Sequence, residues 1–115
     1  MKDVVWIGSS LEDLDEFPED VKDEIGYALY QAQIGLKPSN AKPLTGIGGG
    51  IMEVVSDFDR NTYRAVYAVK IGDVIYVLHC FQKKSKHGIA TPKQELDLIK
   101  QRLKDAKQLD NGRGK

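Results

Sequence analysis

The sequence predicts a single α+β domain built on a small, mainly antiparallel sheet of four strands. Residues 63–85 are rich in Val, Tyr and Ile, which predicts two strands joined by a tight turn at Gly72-Asp73. Apolar side chains recur at helical spacing in residues 21–32 and 96–106. With the shorter segments, these observations give the order β-α-α-β-β-β-α, in which helices pack against the sheet.

The first third of the chain predicts one strand and two helices. Residues 3–8 have high β-propensity. Ser9 is a residue type that favours the N-cap position, and Glu12 follows it at capping-box spacing. This pattern predicts a short helix over residues 10–17. Pro18 begins a second helix, and Gly35 is expected to end it. The apolar stripe of this helix is Val21, Ile25, Ala28, Leu29 and Ala32.

A loop and a further strand follow. Residues 36–50 contain two prolines and four glycines, which predicts a loop. Its glycine triplet, residues 48–50, is not a phosphate-binding loop, because no Gly-Lys-Ser/Thr follows it. Residues 51–56 predict a strand that leads, through a turn at residues 57–62, into the central hairpin.

The end of the chain predicts a basic loop and a last helix. Residues 83–90 form the loop, and Thr91 and Pro92 are expected to cap and begin the helix. We expect the single domain to span residues 1–109, with residues 110–115 as a disordered tail.

The hairpin turn predicts which side chains meet across the sheet. A two-residue turn at Gly72-Asp73 places Ile71 opposite Val74, Arg64 opposite Phe81, and Thr62 opposite Lys83. Side chains alternate between the faces of a strand, so two cations, a histidine and an aromatic ring are expected on one face. These four residues are Arg64, His79, Phe81 and Lys83.

Composition and charge limit the classes of function. Cys80 is the only cysteine and the chain has two histidines without ligand spacing, so we expect no disulfide, metal site or cofactor. No apolar run approaches the length of a membrane span, and we expect a cytoplasmic protein. Residues 1–36 hold two basic and nine acidic residues, whereas basic residues predominate in the rest of the chain. This asymmetry favours anion binding by the second half, although solvated helix faces explain the charges equally well.

The order of elements and several motifs resemble the RelE/ParE superfamily of toxins, specifically its HigB-like, phage-derived branch. The resemblance covers nearly the whole chain, and the order and spacing of its motifs on one β-meander make it specific. It is carried by Ala41-Lys42-Pro43-Leu44-x-Gly46, Glu53, Tyr63-Arg64-x-Val66-Tyr67, Tyr76-Val77-Leu78-His79-x-Phe81-x-Lys83-Lys84-Ser85 and Thr91-Pro92.

The resemblance implies a ribonuclease that enters the ribosomal A site, cuts mRNA during translation and is held inactive by a cognate antitoxin of helix-turn-helix type. The family pattern implicates Arg64, either Lys83 or Lys84 at the end of the last strand, and Lys42. An arginine that many members carry after the strand-two glutamate is absent after Glu53.

Metal-free RNA cleavage needs a base, an acid and cations that stabilise the phosphorane-like transition state. Arg64 suits the cationic role, and strand parity favours Lys83 over Lys84. His79 is a candidate acid or base. Candidate RNA contacts are Lys42, Phe81, Lys86 and His87.

Structural alternatives stay open for several of these residues. Arg64 can be a structural cation paired with Glu53, His79 a packed and hydrogen-bonded histidine, and Phe81 a core residue. The protein as a whole can instead be a ParE-like inhibitor that binds DNA gyrase, or an inert RNA- or protein-binding member of the fold.

Overall fold

A computed structural model describes residues 1–83 and 91–113. One strand and two helices are followed by four consecutive strands and a last helix, in an α+β arrangement. They are β1 (Val4–Trp6), α1 (Ser10–Asp15), α2 (Glu19–Gln33), β2 (Ala41–Pro43), β3 (Ile51–Phe58), β4 (Asn61–Ala68), β5 (Ile75–Lys83) and α3 (Lys93–Arg113).

The sheet has five strands in the order β1-β5-β4-β3-β2, so the expectation of four strands was wrong. The additional strand, β2, lies within the segment that the sequence predicted as a loop, and it pairs antiparallel with β3. The strand β1 runs parallel to β5, which makes the sheet mixed. A three-residue strand that ends in a proline gives too short a period-two pattern to be seen in the sequence.

The register of the central hairpin is confirmed at its far end and differs near its turn. Arg64 lies opposite Phe81 and Thr62 opposite Lys83, as the sequence predicted. However, β4 ends at Ala68 and β5 begins at Ile75, so the connection is longer than two residues. An irregularity at Val66/Tyr67 shifts the pairing by one residue and brings the two parts of the hairpin into their different registers.

Two apolar clusters lie on opposite faces of the sheet. On one face, the predicted α2 stripe packs against side chains such as Tyr67 and Val77. On the other face, α3 packs Ile99 and Leu103 against Val66 and other strand residues. The two faces of the sheet therefore carry different helices, and any site built on one face is separated from the other by the sheet.

Helix ends agree with the sequence at α2 and differ from it at α3. Gly35 has a φ of +87° after α2, and the Leu36 N–H bonds to the Gln31 carbonyl, as in a Schellman motif. The helix α3 continues to Arg113, beyond the end expected at Leu109. Tyr76 donates a hydrogen bond of 2.8 Å to Asp110, which attaches this last part of the helix to the sheet.

Candidate functional site

A buried ion pair connects β3 and β4 on the face covered by α3. The Arg64 Nη1 atom lies 2.8 Å from Glu53 Oε1, and both side chains are almost fully buried. The second carboxylate oxygen, Oε2, accepts a hydrogen bond of 2.8 Å from the Thr91 hydroxyl. Thr91 therefore bonds to the sheet rather than serving only to begin α3, and it ties the start of that helix to the ion pair.

Two lysines add positive charge around this pair. Lys42 lies opposite Glu53 in the β2–β3 pairing and is exposed. Lys83 lies opposite Thr62 on the same face of the sheet as Arg64, and 6% of its surface is exposed. These residues, Lys42, Glu53, Arg64 and Lys83, are called the cationic cluster below, since three basic side chains surround one carboxylate.

The environment of Lys83 disfavours its charged form. Burial lowers the pKa of Lys83 from its ordinary value, and the nearby charges of Arg64 and Lys42 lower it further. The Glu53 carboxylate acts in the opposite direction. A lysine with a lowered pKa carries a larger neutral fraction, which can accept a proton.

His79 is held by a second network that includes two residues of α3. Arg102 Nη1 donates to His79 Nδ1 at 3.2 Å and to the Leu78 carbonyl at 3.1 Å. The guanidinium carries only donors, so Nδ1 accepts and the ring proton lies on Nε2, which is 2.5 Å from Glu95 Oε2. Burial lowers the pKa of His79 and so favours the neutral ring, although Glu95 acts in the opposite direction.

Arg102 reaches His79 by passing the end of β1. Its Nη2 atom donates to Ser9 Oγ at 2.8 Å, and Ser9 in turn donates to Asp13. Gly8 allows this approach, because a Cβ there would lie 2.8 Å from Arg102 Nε. Both nitrogens of His79 therefore have partners, which matches the alternative of a packed, hydrogen-bonded histidine.

Phe81 is buried between the two networks. It lies opposite Arg64 on β4, and its ring stacks on His79 with centroids 5.0 Å apart. A pocket of about 360 Å³ opens beside it, with three carboxylates in its lining from Asp13, Glu16 and Glu95. This side of β5 is unfavourable for a phosphate backbone, so an RNA strand would approach from the side of Lys42.

Comparison with known protein families decides the family of the chain. The model of the family described as Phage derived protein Gp49-like (DUF891) matches residues 12–104. The chain belongs to this family. The Gp49-like family is one of RelE/ParE-like toxins, so the toxin-like character expected from the sequence is supported at that level. Comparison with curated proteins gave no match.

The candidate residues of this Gp49-like protein fall into three groups. Arg64, Lys83 and Lys42 come together in the cationic cluster. His79 and Phe81 share that face of the sheet but belong to the second network and the core. Three other candidates, Lys84, Lys86 and His87, lie outside the described residues.

Sequence reasoning missed the residues that reach the site from α3 and the chain before it. Thr91 was expected only as a helix cap, and Glu95 and Arg102 were not expected to contact the sheet. Arg102 follows the buried Ile99 by three residues and precedes Leu103, so its helical position placed it near the buried face.

In the part of the chain that the structure describes, no three His, Cys, Asp or Glu residues are grouped to hold a metal ion. No helix there is long and apolar enough to cross a membrane.

Proposed function

We propose that this Gp49-like protein is the toxin of a type II toxin–antitoxin system, of HigB-like type, and that it cleaves mRNA on translating ribosomes in the cytoplasm. The observation that carries the proposal is the excess of positive charge in the cationic cluster, where three basic side chains surround Glu53. Such an excess attracts a phosphate backbone and favours a transition state that gains negative charge.

The proposed reaction needs no metal ion. The RNA 2′-oxygen attacks the neighbouring phosphorus, the bond to the 5′-oxygen breaks, and a 2′,3′-cyclic phosphate and a 5′-hydroxyl end form. The neutral form of Lys83, whose fraction increases because burial lowers the pKa, accepts the 2′-hydroxyl proton. Arg64 stabilises the charge on the phosphorane, and the departing 5′-oxygen takes a proton from water.

The different exposure of the three basic side chains indicates which of them an RNA strand contacts first. Lys42 is exposed, whereas only 4% of Arg64 and 6% of Lys83 is exposed. The RNA backbone therefore meets Lys42 first, and the reaction requires the phosphate to come close to the buried cations at the end of β5. His79 has no role in this scheme, because Arg102 and Glu95 occupy its nitrogens.

The same burial favours a second candidate function, a toxin that inhibits by binding alone, as a ParE-like inhibitor of DNA gyrase does. The Arg64 guanidinium lies 2.8 Å from the buried Glu53 carboxylate and is itself buried, which suits a structural role. In that case the exposed Lys42 contributes to binding, and no bond in RNA is broken.

We also propose that a cognate antitoxin, of helix-turn-helix type, keeps the toxin inactive. Its carboxylates would cover the side of the cationic cluster that Lys42 presents to solvent. Charge-swap variants of Lys42 and of the antitoxin test this part of the proposal by measuring the dissociation rate of the complex.

Primer extension in a reconstituted translation reaction tests the main proposal. Wild-type protein should create new 5′ ends inside the coding region only when ribosomes are translating. Lys83→Met should reduce cleavage by roughly 10²–10³-fold, and Lys42→Ala by about tenfold. Lys93→Ala changes an exposed lysine of α3 and should leave cleavage unchanged. Arg64→Ala is avoided because it removes the cation that balances buried Glu53.

The outcomes separate the candidates. Undiminished cleavage by a folded Lys83→Met variant would remove Lys83 from the mechanism. Intact message together with inhibition of DNA supercoiling by purified gyrase would establish the second candidate instead.

A further inference from the structure

On the sheet face opposite the cationic cluster, the C-terminal end of α2 borders an apolar groove. Its deeper part, about 460 Å³, has an apolar lining that includes Leu36, Met52 and Tyr67. A second hollow, lined in part by Gln33 and Ile34, adjoins it, and both hollows share Lys2 and Gly35. The two hollows thus make one elongated groove.

Among the described residues that line the deeper hollow, all the charged side chains are lysines. They are Lys2, Lys37 and Lys70, and no carboxylate is among its lining residues in the described part of the chain. The Lys2 N–H donates to the Gln33 carbonyl, and the Gln33 side-chain amide donates to the Lys2 carbonyl, which holds the Lys2 backbone at the end of α2. The Lys70 side chain packs against Gly50, where a Cβ would lie within 3 Å of it. Two of the three lysines are therefore anchored beside the groove.

The polar group of one largely buried residue, Tyr67, also faces this groove. Tyr67 lines the deeper hollow and is 1% exposed, and its hydroxyl makes no hydrogen bond within the part of the chain that the structure describes. Burial raises the pKa of Tyr67 to about 12, so the hydroxyl keeps its proton and remains a donor. The hydroxyl oxygen itself is accessible from the hollow, so it can donate a hydrogen bond there to water or to a ligand.

Exposed apolar side chains extend the same surface along α2. Tyr30 and Ile34 lie one helical turn apart and are about half exposed, and Leu36, also about half exposed, follows at the rim. The surface is thus longer than the deeper hollow and continues over a helix face. This length suits a segment of polypeptide better than a small molecule, which the hollow alone would enclose.

From this combination we infer that the groove binds a peptide segment of a partner protein in which carboxylates flank apolar side chains. The apolar side chains fill the hollow beside Met52, and the carboxylates contact Lys37, Lys70 and the Tyr67 hydroxyl. The edge strand β2 offers a peptide few backbone donors, because the Ala41 N–H is bonded to Pro38 and Pro43 has no N–H. Recognition therefore depends on side chains.

Selection from a phage-displayed library of random dodecapeptides tests this inference on the full chain, without any need for nuclease activity. Enriched peptides should carry Asp or Glu beside Leu, Phe or Trp. In fluorescence polarisation, Lys37→Glu with Lys70→Glu should weaken the best peptide by at least tenfold, and Tyr67→Phe by about threefold to tenfold. The control pair, Lys93→Glu with Lys100→Glu, reverses two exposed lysines on α3 and should change the affinity less than twofold.

The two methionines of the chain provide a second readout of where a peptide binds. Met52 lines the deeper hollow and Met1 the adjoining one. With ¹³C-methyl methionine, the bound peptide should shift both signals, and Met52→Leu assigns them. The inference is overturned if no acidic–apolar peptide is enriched, if the charge reversals have no effect, or if neither signal moves. It is also overturned if laurate binds in the groove and no peptide does, since the site would then belong to a small amphiphile.

Discussion

The buried pair of Glu53 and Arg64 gives a prediction about stability that can be worked out from its geometry. Glu53→Gln keeps the shape of the side chain and removes the charge that lies 2.8 Å from Arg64 Nη1. Arg64 and Lys83 are buried, so water cannot replace this carboxylate. Removing one member of a buried ion pair costs about 3–5 kcal/mol of the free energy of unfolding.

Replacing both members should have a much smaller effect. Glu53→Leu with Arg64→Met exchanges the pair for apolar side chains, and such exchanges range from neutral to stabilising by about 1–4 kcal/mol. The Thr91 hydroxyl would lose its acceptor, Glu53 Oε2, at a cost of about 1–3 kcal/mol, unless Thr91→Val is added. The double-mutant cycle should therefore give a coupling energy of roughly 3 kcal/mol or more in favour of the pair.

Urea unfolding followed by the fluorescence of Trp6, the only tryptophan, measures these values. At a slope of about 1.5 kcal/mol per M, Glu53→Gln should lower the midpoint by about 2–3 M. Asp57→Asn, which changes an exposed side chain bonded to Thr62 on the same strand pair, should shift it by less than about 0.5 M. A loss below about 1 kcal/mol for Glu53→Gln, or additive losses in the cycle, would show that the reasoning about this buried pair is wrong.

Three further predictions concern titration and attachment of α3. Burial lowers the pKa of Lys83 below the unfolded value of 10.5, so between the two values the unfolded state binds more protons at this residue and the contribution of Lys83 to stability rises with pH. Burial raises the pKa of Cys80, Tyr67 and Tyr76, which lowers stability as the pH rises, so the contribution of Lys83 is measured as the urea midpoint of the wild-type protein minus that of Lys83→Met, and this difference should increase with pH. Burial likewise lowers the pKa of His79 below 6.5, so the unfolded state takes up its proton first and stability should fall as the pH decreases from about 6.5. His79→Gln should make the urea midpoint less dependent on pH between about 5 and 8. Asp110→Ala removes the acceptor of the fully buried Tyr76 hydroxyl and should lower the free energy of unfolding by about 1–3 kcal/mol. Adding Tyr76→Phe should recover part of this loss, as measured by thermal unfolding. If there is no recovery, the hydrogen bond contributes little to stability.

The faces of the central strands were predictable, and the partners above them were not. Period-two alternation placed Arg64, Phe81 and Lys83 on one face, and the observed pairing agrees. This succeeded although the turn was longer than expected, because the irregularity at Val66/Tyr67 compensates for the difference. An alternating pattern depends only on local geometry, so an error in the turn does not always reach the far end of the hairpin.

Long-range pairings left no comparable signal in the sequence. The parallel contact of β1 with β5 joins residues about seventy positions apart, and β2 is three residues long. The period-two alternation predicted which face of the sheet His79 lies on. Its tautomer, however, depends on hydrogen bonds with Arg102 and Glu95, which both belong to α3. Helix position indicated that Arg102 lay near the buried side, yet the choice of His79 as its partner follows only from packing.

The single carboxylate of the cationic cluster links its stability to the chemistry proposed for it. Without Glu53, Arg64 and Lys83 would repel each other in a buried environment, and the protonated form of Lys83 would become still less favourable. A second carboxylate would remove the excess charge that attracts a phosphate. With one carboxylate, shared between Arg64 and the Thr91 hydroxyl, the site holds the guanidinium in place and retains positive charge around it. The proposed cleavage therefore depends on Glu53 as a positioning residue, which holds Arg64 in place without touching the RNA.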